Sequence, residues 1–253
     1  MSEFASFDIN ADMGEWSEAA GASRDREIMP CLTACNIACG GHAGDDSAME
    51  QTLLLAKEHR VEPGAHPSYP DREGFGRVRM EMAADELARD VRSQVERLRR
   101  IAAELGMRIR HVKPHGALYH EAASVRTVAD LLVRTFTAMD SGLRLIGPPG
   151  SELEHAAKRA NQPFHAEAFA DRVYEEDLTL RPRQFPDALH TRADPAVRQV
   201  REIVRRGRVR TVSGVWKPLR AQTVCIHSDT PGAVEIARAV HQFRKSHERR
   251  RTH

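Results

Sequence analysis

The strongest constraint on the fold is an alternation that runs along the whole chain. Short apolar or β-branched runs recur at FDINAD (7–12), CNIACGG (35–41), VEPGAHP (61–67), RHVKPHG (110–116), RLIGPPG (144–150), FHAEAFAD (164–171), VRTVSG (209–214) and TVCIHSD (223–229). Each stops in glycine, proline or polar residues, as strands do. Helical patterns lie between most of them. Met49, Leu53 and Ala56 repeat at helical spacing behind the candidate caps Asp45 and Asp46. Over 84–106, Leu87, Val91, Val95, Leu98, Ala102 and Leu105 form one stripe, and Gly106 is placed to end it. SVRTVADLLVRTF follows the same rule, DPAVRQVREIV opens with Asp194 as the expected N-cap and Pro195 in the first turn, and TPGAVEIARAVHQF closes the series. Strands alternating with helices predict a parallel sheet, and seven or eight repeats predict its closure into a β/α barrel, with an open doubly wound sheet as the alternative.

A chain of 253 residues, 41% of them hydrophobic, can bury one large core, and α/β barrels use this length for one domain. A single domain over 1–253 is therefore expected, with a basic C-terminal tail from about residue 245 read as solvated and disordered. The longest stretch without a clear element is 173–193, the kind of loop that often covers or lines a site.

Charge excludes some partners. With 38 basic against 36 acidic residues, the net charge of +2 gives no electrostatic case for nucleic acid or a membrane surface. No charged, then apolar leader opens the chain, and no apolar run is long enough to span a bilayer, so a cytoplasmic protein is expected. Cys31, Cys35 and Cys39 are spaced four apart, unlike structural zinc pairs, and Cys225 stands alone; buried, reduced thiols are the expectation. Homo-oligomerisation is left open.

The unusual polar residues collect where strands end. Asp12 and Glu15 follow the first run, His42 and Asp45 the second, His66 the third, Lys113 and His115 the fourth, Glu167, Asp171 and Arg172 the sixth, and His227 and Asp229 the last. Taken singly, each has an ordinary explanation: a cap, a turn or a snorkelling lysine. In a β/α barrel, however, all strand ends open on one face, where active sites sit. The glycines of NIACGGHAGD (36–45) then read as a close approach that lets another group reach His42.

There is no G-x-S-x-G elbow, no Walker A pattern and no G-x-G-x-x-G after the first strand. Carboxylates, imidazoles and a lysine can supply a general base, an acid and oxyanion stabilisation. Alternatively, Asp12, His42 and His66 form a carboxylate and two imidazoles able to hold a divalent metal. The residues by themselves support both.

DINADMGE, NIACGGHAGD, GAHPSYPDREGFGR, RHVKPHGALYH, EAFADRVY and AQTVCIHSDTPGAV also resemble, in order from about residue 8 to 240, the LamB/YcsF lactam-utilisation family. That family's best-characterised role is as the A subunit of bacterial 5-oxoprolinase. The resemblance implies a distorted, seven-stranded β/α barrel of the glycoside hydrolase/deacetylase type. It implies ATP-dependent opening of 5-oxo-L-proline to L-glutamate in a complex with the partner B and C subunits. Asp12, Glu15, His42, His66, Lys113, His115, Glu167, Asp171 and Arg172 match its motifs. From that match, Asp12, Lys113, His115 and Glu167 are expected to be catalytic, and Glu15, His42, His66, Asp171 and Arg172 to bind substrate. Two departures stand out: Ser228 and Asp187 replace glycines usual in the family, at loop positions where a positive φ could be needed.

Overall fold

The structure, a computed structural model, describes residues 6–16 and 19–249. Seven parallel strands close into a barrel: β1 (Asp8–Met13), β2 (Ala34–Ala38), β3 (Glu62–His66), β4 (His111–Val112), β5 (Arg144–Gly147), β6 (Phe164–Phe169) and β9 (Thr223–Cys225). They neighbour one another in chain order, and β9 closes the ring between β6 and β1. The closed barrel replaces the open-sheet alternative.

One predicted run leaves the barrel. VRTVSG supplies β7 (Arg208–Arg210), which pairs antiparallel with β8 (Trp216–Pro218) in a separate hairpin. Strands covered by helices are buried on both faces. Arg208 and Arg210 flank the buried Val209 and keep partly or fully exposed side chains, so this run cannot take such a place.

Helices α1 (Ala19–Ile28), α2 (Asp46–His59), α3 (Ala84–Glu104), α4 (Gly116–Ser124), α5 (Arg126–Met139), α6 (Glu152–Arg159), α7 (Ala193–Arg206) and α8 (Ala233–Arg249) make up the outer layer. Asp45 caps α2 as predicted, accepting a hydrogen bond from the Ala48 amide at 2.8 Å. Along α3 the predicted stripe is buried at Leu87, Val91, Val95, Leu98 and Ala102, with Leu105 packed at its edge. Asp194 is not the N-cap of α7: Arg192 holds that position and Asp194 lies in the first turn, where its charge still suits the helix dipole.

The expected disorder from residue 245 gives way to helix as far as Arg249; residues 250–253 lie outside the described residues. The helix of TPGAVEIARAVHQF, with Val240 and Phe243 buried and Phe7 packed on Phe243, runs on past 245 and buries His247. All four cysteines are free and buried, as expected. Among the described residues, no helix is long and apolar enough to cross a membrane.

Candidate active site

A cavity of about 500 Å³ opens at the C-terminal ends of the barrel strands. Asp12 is the penultimate residue of β1, Lys113 follows β4, and Glu167 sits within β6. Lys113 is 3% exposed, and its Nζ lies 3.0 Å from Asp12 Oδ1, 3.1 Å from Glu167 Oε1 and 3.3 Å from Cys225 Sγ. A buried ammonium is held only by such partners. Burial pulls the Lys113 pKa down, but Asp12 above all lifts it well above the ordinary value, so this side chain is a cation and not a base. Burial raises Asp12 in turn, and His66 and Lys113 more than reverse this, holding its carboxyl well below the usual range.

A polar frame beneath holds both carboxylates. Asn10 Nδ2 donates to Glu167 Oε1 at 2.9 Å and to Thr223 Oγ1 at 2.7 Å, and Asn36 Nδ2 donates to Asn10 Oδ1 and Asp12 Oδ1, each at 2.8 Å. The Tyr119 hydroxyl donates to Glu167 Oε2 at 2.9 Å. Burial raises the Tyr119 pKa well above the ordinary phenol, which keeps this donor protonated. Cys225 is likewise pushed up by burial and stays a thiol.

The opposite wall is a group of imidazoles around Glu15. His42 Nε2 lies 2.9 Å from Glu15 Oε1, and His115 Nδ1 lies 3.2 Å from the same oxygen. His66 Nδ1–H donates to the Lys113 carbonyl at 2.7 Å, and His115 Nε2–H donates to the Phe75 carbonyl at 2.9 Å. Those carbonyls fix the tautomers, because a carbonyl can only accept. His42 stacks on His115 with centroids 3.6 Å apart and planes 4° apart. Burial lowers the His42 pKa to about 4, so its ring is neutral at physiological pH. Burial would raise Glu15, yet the imidazoles of His115 and His42 set against its carboxylate leave it well below the ordinary carboxylate value. Phe75, which anchors His115, has φ +54°, an uncommon left-handed conformation for an aromatic residue and of the kind that gathers at functional sites.

A charged rim surrounds the mouth. Arg183 grips Asp229 in a two-pronged pair at 2.7 and 3.0 Å, and Arg77 reaches the same carboxylate at 3.2 Å. Arg172 is buried, donates from one amino group to the Arg181 carbonyl at 2.7 Å, and leaves its Nε without a partner. The loop expected to line a site does so through Thr179, Leu180, Pro182 and Arg183.

Asp12, Glu15, His66, Lys113, His115 and Arg172 thus line one cavity, with Glu167 behind Lys113. His42 and Asp171 do not line it. His42 stands behind Glu15, and Asp171 is fully buried against His227 Nδ1 at 3.2 Å and the Thr230 hydroxyl. Of the expected metal trio, His42 and His66 fall in a group of donors within 4.8 Å of one another, with Glu15 and His115; Asp12 is outside that group, 3.0 Å from Lys113 Nζ and 3.3 Å from His66 Nε2. The glycine pair has a different use from the one predicted. A Cβ on Gly41 would meet Ser68 Oγ and Gln94 within 2.6 Å, so it is the protein's own side chains that approach the backbone here. Neither Ser228 nor Asp187 has a positive φ; Asp187 instead accepts from Arg181 Nε at 2.7 Å. Sequence reasoning missed Asn10, Asn36, Tyr119 and Arg183. Asn36 was detectable as the one polar amide in the otherwise apolar run ACNIA, and Asn10 as a polar residue between Ile9 and Ala11.

The model of the LamB/YcsF family matches residues 7–252. The chain belongs to the LamB/YcsF family. Among its relatives, proteins named as the A subunit of 5-oxoprolinase are 45% identical over 235 residues in Chloroflexus aurantiacus and 41% identical over 236 residues in Bacillus anthracis, with 93% of each chain covered in both. A crystal structure of a lactam utilization protein from Thermus thermophilus is 38% identical and superposes with a TM-score of 0.88, covering 95% of this chain and 96% of that one. The seven-stranded barrel is therefore shared with a solved LamB/YcsF-type protein.

Proposed function

We propose that this chain is the A subunit of an ATP-dependent 5-oxoprolinase, opening 5-oxo-L-proline to L-glutamate in the cytoplasm together with its B and C subunits. The observation that carries the reading is the 41–45% identity, over nearly the whole chain, to relatives bearing that name. The cavity supports it with matching chemistry. A five-membered lactam resists hydrolysis, and phosphorylation of its amide oxygen by ATP makes the ring carbon electrophilic. Lys113 stabilises negative charge on that oxygen or its phosphate, held in place by Asp12 and Glu167. Asp12 takes the proton of the attacking water, and His115, fixed by the Phe75 carbonyl, relays protons through Nδ1. Arg172, which lines the cavity, receives the substrate carboxylate.

The Glu15 and histidine group favours a second reading, metal-dependent hydrolysis of an amide without ATP. One experiment separates the two. Glutamate release from 5-oxoproline is measured for the chain alone and for the chain combined with its B and C subunits, each with and without ATP. The first reading expects little turnover from the chain alone and ATP-dependent release from the complex. Robust ATP-independent hydrolysis by the isolated chain would overturn it in favour of the second.

A further inference from the structure

We propose that Glu15, His66 and His115 bind one borderline transition-metal ion, of the Zn²⁺ or Co²⁺ class, with an open coordination position facing the cavity. The inference stands on geometry, and with the ion bound it replaces the proton relay proposed for His115, because a ligating Nδ1 has no lone pair left for a proton.

Lone pairs supply the first argument. His66 Nδ1 and His115 Nε2 spend their hydrogens on the Lys113 and Phe75 carbonyls. In the neutral rings, His66 Nε2 and His115 Nδ1 are then bare acceptors, and they face each other at 3.0 Å. Glu15 Oε1, a third acceptor, lies 3.2 Å from His115 Nδ1 and 3.7 Å from His66 Nε2. Acceptors repel at such distances unless something positive lies between them. A proton on His66 Nε2, which Asp12 Oδ2 at 3.3 Å also faces, still leaves His115 Nδ1 against the Glu15 carboxylate. A single divalent ion resolves all three.

The spacing fits. Metal–ligand bonds of about 2.0–2.2 Å at tetrahedral angles put neighbouring donor atoms about 3.3–3.6 Å apart. The three separations, 3.0, 3.2 and 3.7 Å, bracket that edge. Two imidazoles and one glutamate with a vacant fourth position form the donor set of hydrolytic zinc sites, and all three side chains line the cavity. Mixed nitrogen and carboxylate donors favour such ions over Mg²⁺ or Ca²⁺, which take oxygen.

His42 completes the site without ligating. Its ring is parallel to that of His115, so the two planes cannot both contain one ion. It donates instead from Nε2 to Glu15 Oε1 at 2.9 Å, while the two backbone carbonyls hold the other ligands. Ligating side chains are normally oriented by such an outer layer. The local charge agrees: Asp12 and Glu167 already share the ammonium of Lys113, and Glu15 adds a third carboxylate against His115.

The test uses the full-length chain purified without a nickel column, stripped with chelator, and reloaded with Zn²⁺ or Co²⁺ alone. Elemental analysis is expected to find one ion per chain, and Co²⁺ to give the visible absorption of a four- or five-coordinate site. Glu15→Gln and His115→Asn should each weaken metal affinity more than about 100-fold, and His42→Phe, which keeps the stack but loses the donor, by about 10–100-fold. Asp12→Asn should keep the ion. Circular dichroism confirms that each variant is folded. A folded wild-type chain that takes up neither ion would overturn the proposal. So would loss of metal in Asp12→Asn with retention in Glu15→Gln.

Discussion

Replacing Lys113 by methionine tests the electrostatic frame of the cavity. Methionine matches the stem of lysine but removes the ammonium, leaving the carboxylates of Asp12 and Glu167 buried without the cation 3.0 and 3.1 Å away. Breaking a buried pair by removing one partner costs about 3–5 kcal/mol. Here both carboxylates keep other donors, Asn36 for Asp12 and Asn10 and Tyr119 for Glu167, which places the loss towards the lower end. At roughly 2–4 °C per kcal/mol for a chain of this size, the melting temperature should fall by about 6–20 °C. The loss should also depend on pH with a definite sign. Asp12 has a depressed pKa in the folded state, so its pairing stabilises the protein above its ordinary value of 3.8 and is lost as the pH falls through the folded value. The gap between wild type and variant should therefore be widest near neutral pH and shrink below about pH 4. Urea unfolding followed by circular dichroism at pH 7 and at pH 4 and below measures it. A variant within about 1 kcal/mol of wild type at pH 7, with no dependence on pH, would refute the ion-pair account.

Two further outcomes follow from single residues. Asp25, buried with its Oδ2 accepting from the Gly14 amide and Trp16 Nε1, is pushed up by burial from 3.8 to about 6. A carboxyl with a raised folded pKa favours the folded state while protonated, so its contribution fades as the pH rises from about 4 to about 6, by roughly 3 kcal/mol at most; Asp25→Asn should flatten that part of the stability profile in urea titrations. Gly76 has φ +63°, and an added Cβ would lie 2.9 Å from His42 Cβ and 3.0 Å from His115 Cδ2. Gly76→Ala should destabilise by about 1–3 kcal/mol and displace the stacked pair, visible as shifted histidine ring resonances in NMR; an unchanged stability and spectrum would contradict the packing described.

Much of this molecule is legible in the order of its residues. The period of the apolar positions marks the strands and the long stripes of α3 and α7, because burial of one face dictates that spacing wherever the helix ends up. The placing of Asp12, His66, Lys113 and His115 just at or after strand ends is equally a matter of sequence, since a parallel barrel sends every such end to one face. Some errors were local. The basic residues after 245 concealed the continuation of a helix that buries His247, and the run at 209–214 looked like a barrel strand until Arg210 and the adjoining Arg208 had to face an interior. Which of the gathered residues touch was decided only in three dimensions. Asp12 was grouped with His42 and His66 by residue type; in the barrel it meets His66 and also Lys113, 101 positions along the chain. Glu15 meets His42 and His115, and carbonyls of Lys113 and Phe75 fix which nitrogens of His66 and His115 are bare. Composition and periodicity report on burial, which each residue feels alone. Ion pairs and tautomers depend on distances of about 3 Å between strands, and those exist only once the barrel has closed.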